Sequence, residues 1–146
     1  MRMIKNLLSC FIIICCGVAN AAGQADLLGH KWYLGILNQQ ALIMADFTVQ
    51  KPYLEFGANN KFSAFVGCNT ITGTYSLTGP NGLHLSASKP TAPAATCKQK
   101  FIDIENTFIS SLPNIKAWEI ENEVLYLKAN PNDIVSIAIF APNKPY

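Results

Sequence analysis

The side chains best suited to nucleophilic chemistry in this sequence are one cysteine and the two histidines. Cys68 lies within Gly67-Cys68-Asn69, and the histidines are His30 and His84. A catalytic thiol needs a lowered pKa, an imidazole positioned as base, and a group such as the Asn69 amide to orient that base. Nothing in the spacing places either histidine beside Cys68. A thiol-dependent hydrolase that uses Cys68 is therefore retained only as an alternative.

The number and position of the cysteines favour a structural role for Cys68. Of the five cysteines, Cys10, Cys15 and Cys16 belong to an apolar N-terminal run, which leaves Cys68 and Cys97. Two cysteines in an exported chain predict one disulfide, because an exported protein meets an oxidising compartment. Such a bond would close a loop of about 30 residues and stabilise the fold by roughly 3 to 4 kcal/mol in the chain-entropy model.

Other classes of site have less support in the sequence. A metal site would need clustered His, Cys or carboxylate side chains, and the nine acidic residues are scattered. No glycine-rich phosphate loop opens a helix, and the Gly-x-Ser-x-Gly motif of serine hydrolases is absent. Asp103 and Glu105 fall opposite much of an apolar helical stripe, which predicts a solvated face rather than acid–base chemistry. We therefore predict no catalytic residue, no cofactor and no metal.

The first 21 residues have the pattern of a cleavable secretory signal peptide. Arg2 and Lys5 precede an apolar run over residues 7–18, and Ala19-Asn20-Ala21 offers small residues at a cleavage site. The run has about 12 apolar residues, whereas a membrane-spanning helix needs about 20. The sequence thus predicts a leader over 1–21 and an exported domain over 22–146, with no transmembrane segment once the leader is removed.

A lipid anchor is a weaker interpretation of the same segment. The segment Leu7-Leu8-Ser9-Cys10 resembles a lipoprotein cleavage box, but cleavage there would leave only two leucines as the apolar region of the leader. We therefore expect a periplasmic or secreted protein without a lipid anchor, and association with the outer membrane stays open.

Removing the leader also changes the charge balance. Eleven cations and nine anions in the whole chain become nine of each, because Arg2 and Lys5 leave with the leader. A neutral domain gives no electrostatic support for binding nucleic acid or an anionic membrane. The remaining length of about 125 residues suits one domain.

Most of the exported part alternates apolar and polar residues with period two, which predicts strands. The pattern changes over 96–112, where apolar residues recur every three or four positions and predict one amphipathic helix, with Thr96 as its N-cap and Pro113 after its end. We predict an α+β fold: a strongly curled antiparallel sheet of seven to eight strands, an incomplete barrel, with the helix packed across it. Glu121-Asn122 is predicted as a two-residue turn. The predicted strands are 30–37, 53–56, 61–66, 72–77, 83–86, 115–120, 124–128 and 134–140, and the predicted core anchors are Trp32, Leu34, Phe101, Ile104, Phe108 and Leu112.

These features together resemble the META domain family, which includes the bacterial heat-inducible HslJ proteins. The specific part is the structural turn Gly67-Cys68-Asn69, followed by Gly73 and Tyr75, with a second cysteine, Cys97, at the start of the helix. The sequence departs from the family pattern at 63–66 and at 91–96, so a surface formed by those segments would differ from that of relatives. Further matching segments are Lys31-Trp32-Tyr33-Leu34, Pro52-Tyr53-Leu54-Glu55-Phe56, Ala94-Ala95-Thr96-Cys97 and Leu125-Tyr126-Leu127.

The resemblance implies an envelope or secreted protein, linked in the family to heat response, novobiocin resistance and, in parasite members, virulence or secretion. It implies no enzymatic mechanism. The main prediction is a non-catalytic accessory protein that binds an envelope protein or a lipid. The fold is also similar to the cracked barrel of secretin pilot proteins, so a carrier of lipid or peptide is the alternative, although fold alone does not transfer function.

Overall fold

A computed structural model of the chain describes residues 23–88 and 96–145, and the predicted leader lies outside these ranges. The described residues form nine strands and two α-helices. The helices are α1, Gln24–Leu27, and α2, Gln99–Ser111. The strands are β1 Lys31–Leu37, β2 Gln40–Ala41, β3 Tyr53–Phe56, β4 Lys61–Phe65, β5 Thr70–Thr78, β6 Gly82–Ala87, β7 Ala117–Glu121, β8 Val124–Lys128 and β9 Ala138–Ala141.

All strands belong to one antiparallel sheet that closes into a ring. The strand order is β2-β1-β3-β4-β5-β6-β7-β8-β9, and β1 also pairs with β9. The predicted α+β class, a curled antiparallel sheet with one helix packed against it, is confirmed. The described strands exceed the expected seven to eight because β2, only two residues long, adds a short edge.

The ring is weakest between β6 and β7. These strands pair only through Gly82 and Ala117, since β7 continues away from β6 beyond that point. The gap beside β6 is filled by a 3₁₀ turn, Leu112–Asn114, which directly follows α2. Leu112 is fully buried there. The helix and its following turn therefore complete the barrel where strand pairing fails.

Each end of the barrel is covered by a helix. The strand registers place the C-terminal ends of β1 and β4 at the same end, and α2 lies across it. At the opposite end, the short helix α1 inserts Leu27, which is fully buried, and the Trp32 indole donates a hydrogen bond to its carbonyl oxygen at 3.0 Å. The start of the described chain is thus part of the core.

Four of the six predicted core anchors are buried in the barrel, and two are only half-buried. Trp32, Leu34, Phe108 and Leu112 are buried, while Phe101 and Ile104 near the start of α2 are half-buried. Because α2 covers an open end of the ring, only its second half reaches the centre of the core.

Three local predictions are wrong in position. The helix begins at Gln99 and Lys98 precedes it without a side-chain cap, so Thr96 is not the N-cap. The turn between β7 and β8 is made by Asn122 and Glu123, both with positive φ, one residue later than predicted. The last strand begins at Ala138 instead of residue 134, because Ile134 and Val135 are exposed in the loop before it.

Candidate functional site

The Gly67-Cys68-Asn69 turn joins β4 to β5 and is held against α2 by one carboxylate. Glu105 Oε2 accepts hydrogen bonds from the backbone N–H groups of Cys68 at 3.0 Å and Asn69 at 2.7 Å. Its other oxygen, Oε1, accepts a bond from Asn69 Nδ2 at 2.7 Å. All three donors are part-buried, and charged acceptors make the stronger class of hydrogen bond. We call this arrangement the Glu105 clasp.

Glu105 corrects a prediction made from the sequence. It was expected on a solvated face with Asp103, yet it is only 4% exposed, whereas Asp103 is exposed. Its position is four residues after Phe101 and three before Phe108, which places it within the apolar stripe of α2 and not opposite it. That spacing, with an acid where an apolar residue is expected, was the signal available in the sequence.

A disulfide and a close backbone approach reinforce the same contact. Cys68 and Cys97 are joined, with their Cα atoms 5.9 Å apart. A Cβ atom added at Gly67 would overlap the carbonyl oxygen of Phe101, so the turn approaches α2 more closely than any other residue type allows. The specific residues of the turn thus serve to dock the helix.

Gly73 and Tyr75 hold a neighbouring part of the barrel. Gly73 faces inward, and a side chain there would collide with the ring of Phe62 and the backbone of Ser86. The Tyr75 hydroxyl donates a hydrogen bond to the carbonyl oxygen of Gly57 at 2.9 Å. Burial raises the pKa of Tyr75 above its ordinary value of 10.0. Both residues are therefore placed where they support the β3–β4–β5 sheet.

The structure does not bring either histidine to Cys68. His30 precedes β1 at the α1 end of the barrel, with its ring 4.5 Å from that of Trp32, and Cys68 lies at the α2 end. His84 is exposed on β6, opposite Ser76 of β5. The sulfur of Cys68 is bonded to that of Cys97 and offers no thiolate in this state.

Beside the clasp, a groove runs between α2 and the β1–β2 hairpin. Its volume is about 480 Å³, within the range typical of ligand sites. The apolar part of its wall comes from the end of β1, the segment after β2 and the half-buried Ile104 of α2. We call it the helix groove, and it is lined by Leu37, Asn38, Gln40, Ala41, Leu42, Ile43, Asp46, Phe47, Asp103, Ile104 and Thr107.

The segment after β2 is fixed to α2 by two contacts. The Lys100 ammonium lies 2.9 Å from the Asp46 carboxylate, and the rings of Phe47 and Phe101 are 5.1 Å apart. Phe47 is buried, whereas Ile43 is 68% exposed at the mouth of the groove. The groove therefore has one wall anchored on the helix and an apolar side chain available at its opening.

Within 23–88 and 96–145, no three His, Cys, Asp or Glu residues are placed to hold a metal ion. In the same residues, no helix is both long and apolar enough to cross a membrane.

Comparison with known proteins identifies the family and similar folds. The chain matches the META domain over residues 25–138, which confirms the resemblance seen in the sequence. A crystal structure of a DUF4847 family protein from Bacteroides vulgatus ATCC 8482 is similar in fold, with TM-score 0.55 and 20% identity, covering 82% of this chain and 96% of that one. An NMR structure of a protein from Burkholderia xenovorans has TM-score 0.55 and 17% identity, covering 86% and 90%. No curated protein matches the chain.

Proposed function

Because the chain belongs to the META domain family, we propose that it is an exported, non-catalytic accessory protein of the cell envelope whose helix groove binds an apolar segment of a partner protein. One observation carries this proposal. The residues of the Gly67-Cys68-Asn69 turn are all engaged in docking α2, while the groove beside them exposes Ala41 and 68% of Ile43. In this proposal the turn serves to support a binding surface.

The chemistry of the turn supports the non-catalytic part. A nucleophile must be free to attack and must have a base beside it. Cys68 is tied to Cys97, and the two histidines lie on other parts of the barrel. Glu105, the one buried carboxylate at the turn, already accepts three hydrogen bonds.

Export is supported by two independent features. The first 21 residues have the order of charges, apolar residues and small residues found in secretory leaders. The second feature is the Cys68–Cys97 disulfide. Structural disulfides persist in the periplasm and outside the cell, and they are rare in the cytosol. The family association with heat response, antibiotic tolerance and secretion fits an accessory role in that compartment.

The charges of the helix groove favour a protein partner over a lipid. Its lining includes two carboxylates and no cationic side chain; Asp46 is paired with Lys100 at 2.9 Å, which lies outside the lining, and Asp103 has no such cation among the described residues. A fatty acid or phospholipid would bring a negative head group next to Asp103, which is unfavourable. A peptide with apolar residues and a flanking lysine or arginine has the complementary charge.

Binding of synthetic peptides tests this proposal on the protein purified after export from the full-length chain. The probes are a valine-rich peptide flanked by lysines, the same peptide flanked by glutamates, and palmitate. We expect the lysine-flanked peptide to bind at least tenfold more tightly than the other two. Ile43→Ser should weaken it about tenfold, because the peptide loses an apolar contact. Ile134→Ser is the matched control, since Ile134 is 99% exposed and outside the groove lining.

Three outcomes would overturn the proposal. Tighter binding of palmitate than of either peptide would support the alternative, a carrier of the pilot type. Absence of binding by all three probes, or equal effects of Ile43→Ser and Ile134→Ser, would remove the groove as the binding site.

A further inference from the structure

We infer that the helix groove takes its partner as an extended peptide, which adds as a further strand to the free edge of β2. This inference rests on the proposed function and specifies the form of the partner. Among the described strands, β2 stands at the end of the sheet order and pairs only with β1. An unpaired edge offers backbone donors and acceptors that can pair with another chain.

The hairpin geometry identifies which backbone groups are available. Asn38 and Gln39 form a two-residue turn, with φ of 46° and 66°. Leu37 then pairs with Gln40, Ile36 pairs with Ala41, and the Leu42 N–H donates to the Gly35 carbonyl at 2.9 Å. The Leu42–Gly35 bond marks those two residues as a hydrogen-bonded pair. Hydrogen-bonded and non-hydrogen-bonded pairs alternate along an antiparallel ladder, so the neighbouring Ile36–Ala41 pair is not hydrogen-bonded. The N–H and C=O of Ala41 therefore point away from β1.

The surroundings of this edge suit a bound strand. Gln40 and Ala41 line one side of the groove, and Asp103, Ile104 and Thr107 of α2 line the same groove. Both β2 residues are exposed and uncharged, although natural edge strands are commonly protected by lysine or proline. Nothing in β2 itself opposes pairing.

An extended peptide would contact the backbone edge of β2 and the apolar wall of the groove at the same time. Its backbone would bond the N–H and C=O of Ala41, and its alternate side chains would point to opposite faces, as in any strand. Those on one face would meet the apolar wall formed by Leu42, Ile43 and Ile104. A basic residue beside them would face Asp103.

A proline substitution tests the backbone contact. Ala41→Pro deletes the outward N–H and leaves the pairs used by β1 unchanged, and proline is tolerated on edge strands. Ala41→Ser is the control, because it changes the side chain and keeps the N–H. Two lysine-flanked probes are compared, one alternating valine and threonine to favour a strand, the other rich in leucine and alanine to favour a helix.

We expect the strand-forming peptide to bind more tightly and Ala41→Pro to weaken it at least tenfold, while Ala41→Ser changes it less than twofold. Hydrogen exchange on the unmodified protein gives a second readout: the Ala41 amide should exchange at least tenfold more slowly in the complex. Tighter binding of the helix-forming peptide, or an unprotected Ala41 amide in a peptide complex, would overturn the inference and leave the proposed function intact. Failure of every peptide to bind would overturn both.

Discussion

Among the described residues, Glu105 is the single side chain that joins the Gly67–Asn69 turn to α2 by hydrogen bonds. Its carboxylate accepts one bond from each backbone N–H of Cys68 and Asn69 and one from the Asn69 side chain. Removing a buried acceptor leaves its donors without partners, which costs more than the net value of the bonds themselves. The clasp is therefore sensitive to the chemistry of this one residue.

Replacing the carboxylate measures that sensitivity. We expect Glu105→Ala to lower the free energy of unfolding by about 3 kcal/mol, because three part-buried donors lose their acceptor. Glu105→Gln should cost less, since one amide oxygen remains. Denaturant unfolding under oxidising conditions gives the values, and Asp103→Asn on the exposed side of α2 is the control, expected within about 0.5 kcal/mol of the wild type. Equal effects of Glu105→Ala and Asp103→Asn would show that the clasp contributes nothing.

Tyr75 makes stability depend on alkaline pH. Burial raises the pKa of this phenol above 10.0 in the folded protein, so the unfolded chain ionises first. The stabilisation it contributes is complete below the unfolded pKa and is lost as pH rises through the folded pKa. Tyr75→Phe should cost about 1 kcal/mol at pH 7, where it removes the bond to Gly57, and this difference should shrink at higher pH.

The measurement for Tyr75 is the free energy of unfolding between pH 7 and about pH 11, compared for the wild type and the variant. Tyr126→Phe, on the half-buried outer side of β8, controls for the loss of a tyrosine as such. A difference between wild type and Tyr75→Phe that stays constant over this range would contradict the expectation.

Among the elements, α2 is held to the barrel by the clasp, and Cys97, just before the start of α2, adds a covalent bond. The Cys68–Cys97 disulfide spans 29 positions of sequence. We expect the double variant Cys68→Ala, Cys97→Ala to lose roughly 3 to 4 kcal/mol, because its unfolded state regains the entropy of an open loop. Denaturant unfolding checks this, with the wild type in reductant as the comparison.

The oxidation state of Cys68 and Cys97 gives the sharpest test of the thiol hydrolase alternative. Thiol titration of the exported protein should find neither Cys68 nor Cys97 free. One reactive thiol assigned to Cys68 would contradict the non-catalytic proposal. A loss below about 1 kcal/mol in the double variant would instead show that the bond constrains little of the unfolded chain.

Local sequence patterns were sufficient to predict most helices and strands, but not the burial and the contacts of individual side chains. Alternation of apolar residues predicts β3 and β8 with their observed bounds, Tyr53–Phe56 and Val124–Lys128. It fails at Ile134, where an apolar residue is exposed in a loop, because residue type alone does not report burial. The helical pattern was also misinterpreted at Glu105, whose hydrogen-bond partners lie 36 and 37 positions away in the sequence.

At the scale of the whole molecule, ring closure and the helix groove both depend on contacts between distant segments. The closing pair, β1 with β9, joins the two ends of the described chain. The groove combines residues of β1, β2, the following segment and α2, and no one of these segments carries a motif for it. Periodicity predicts the elements, whereas their assembly creates the groove, so the prediction of a binding protein from the sequence could not locate the surface that we propose.

The most direct test of the binding proposal is photocrosslinking in the intact envelope, with a photoreactive residue at position 43 in one strain and at 134 in another. Both positions are exposed at the α2 end of the barrel, and only position 43 lines the helix groove. We predict a discrete protein adduct from position 43 that disappears when Ile104→Glu is added and when the lysine-flanked peptide is supplied as competitor. No adduct from position 43, or the same adduct from both positions regardless of Ile104→Glu, would contradict the account.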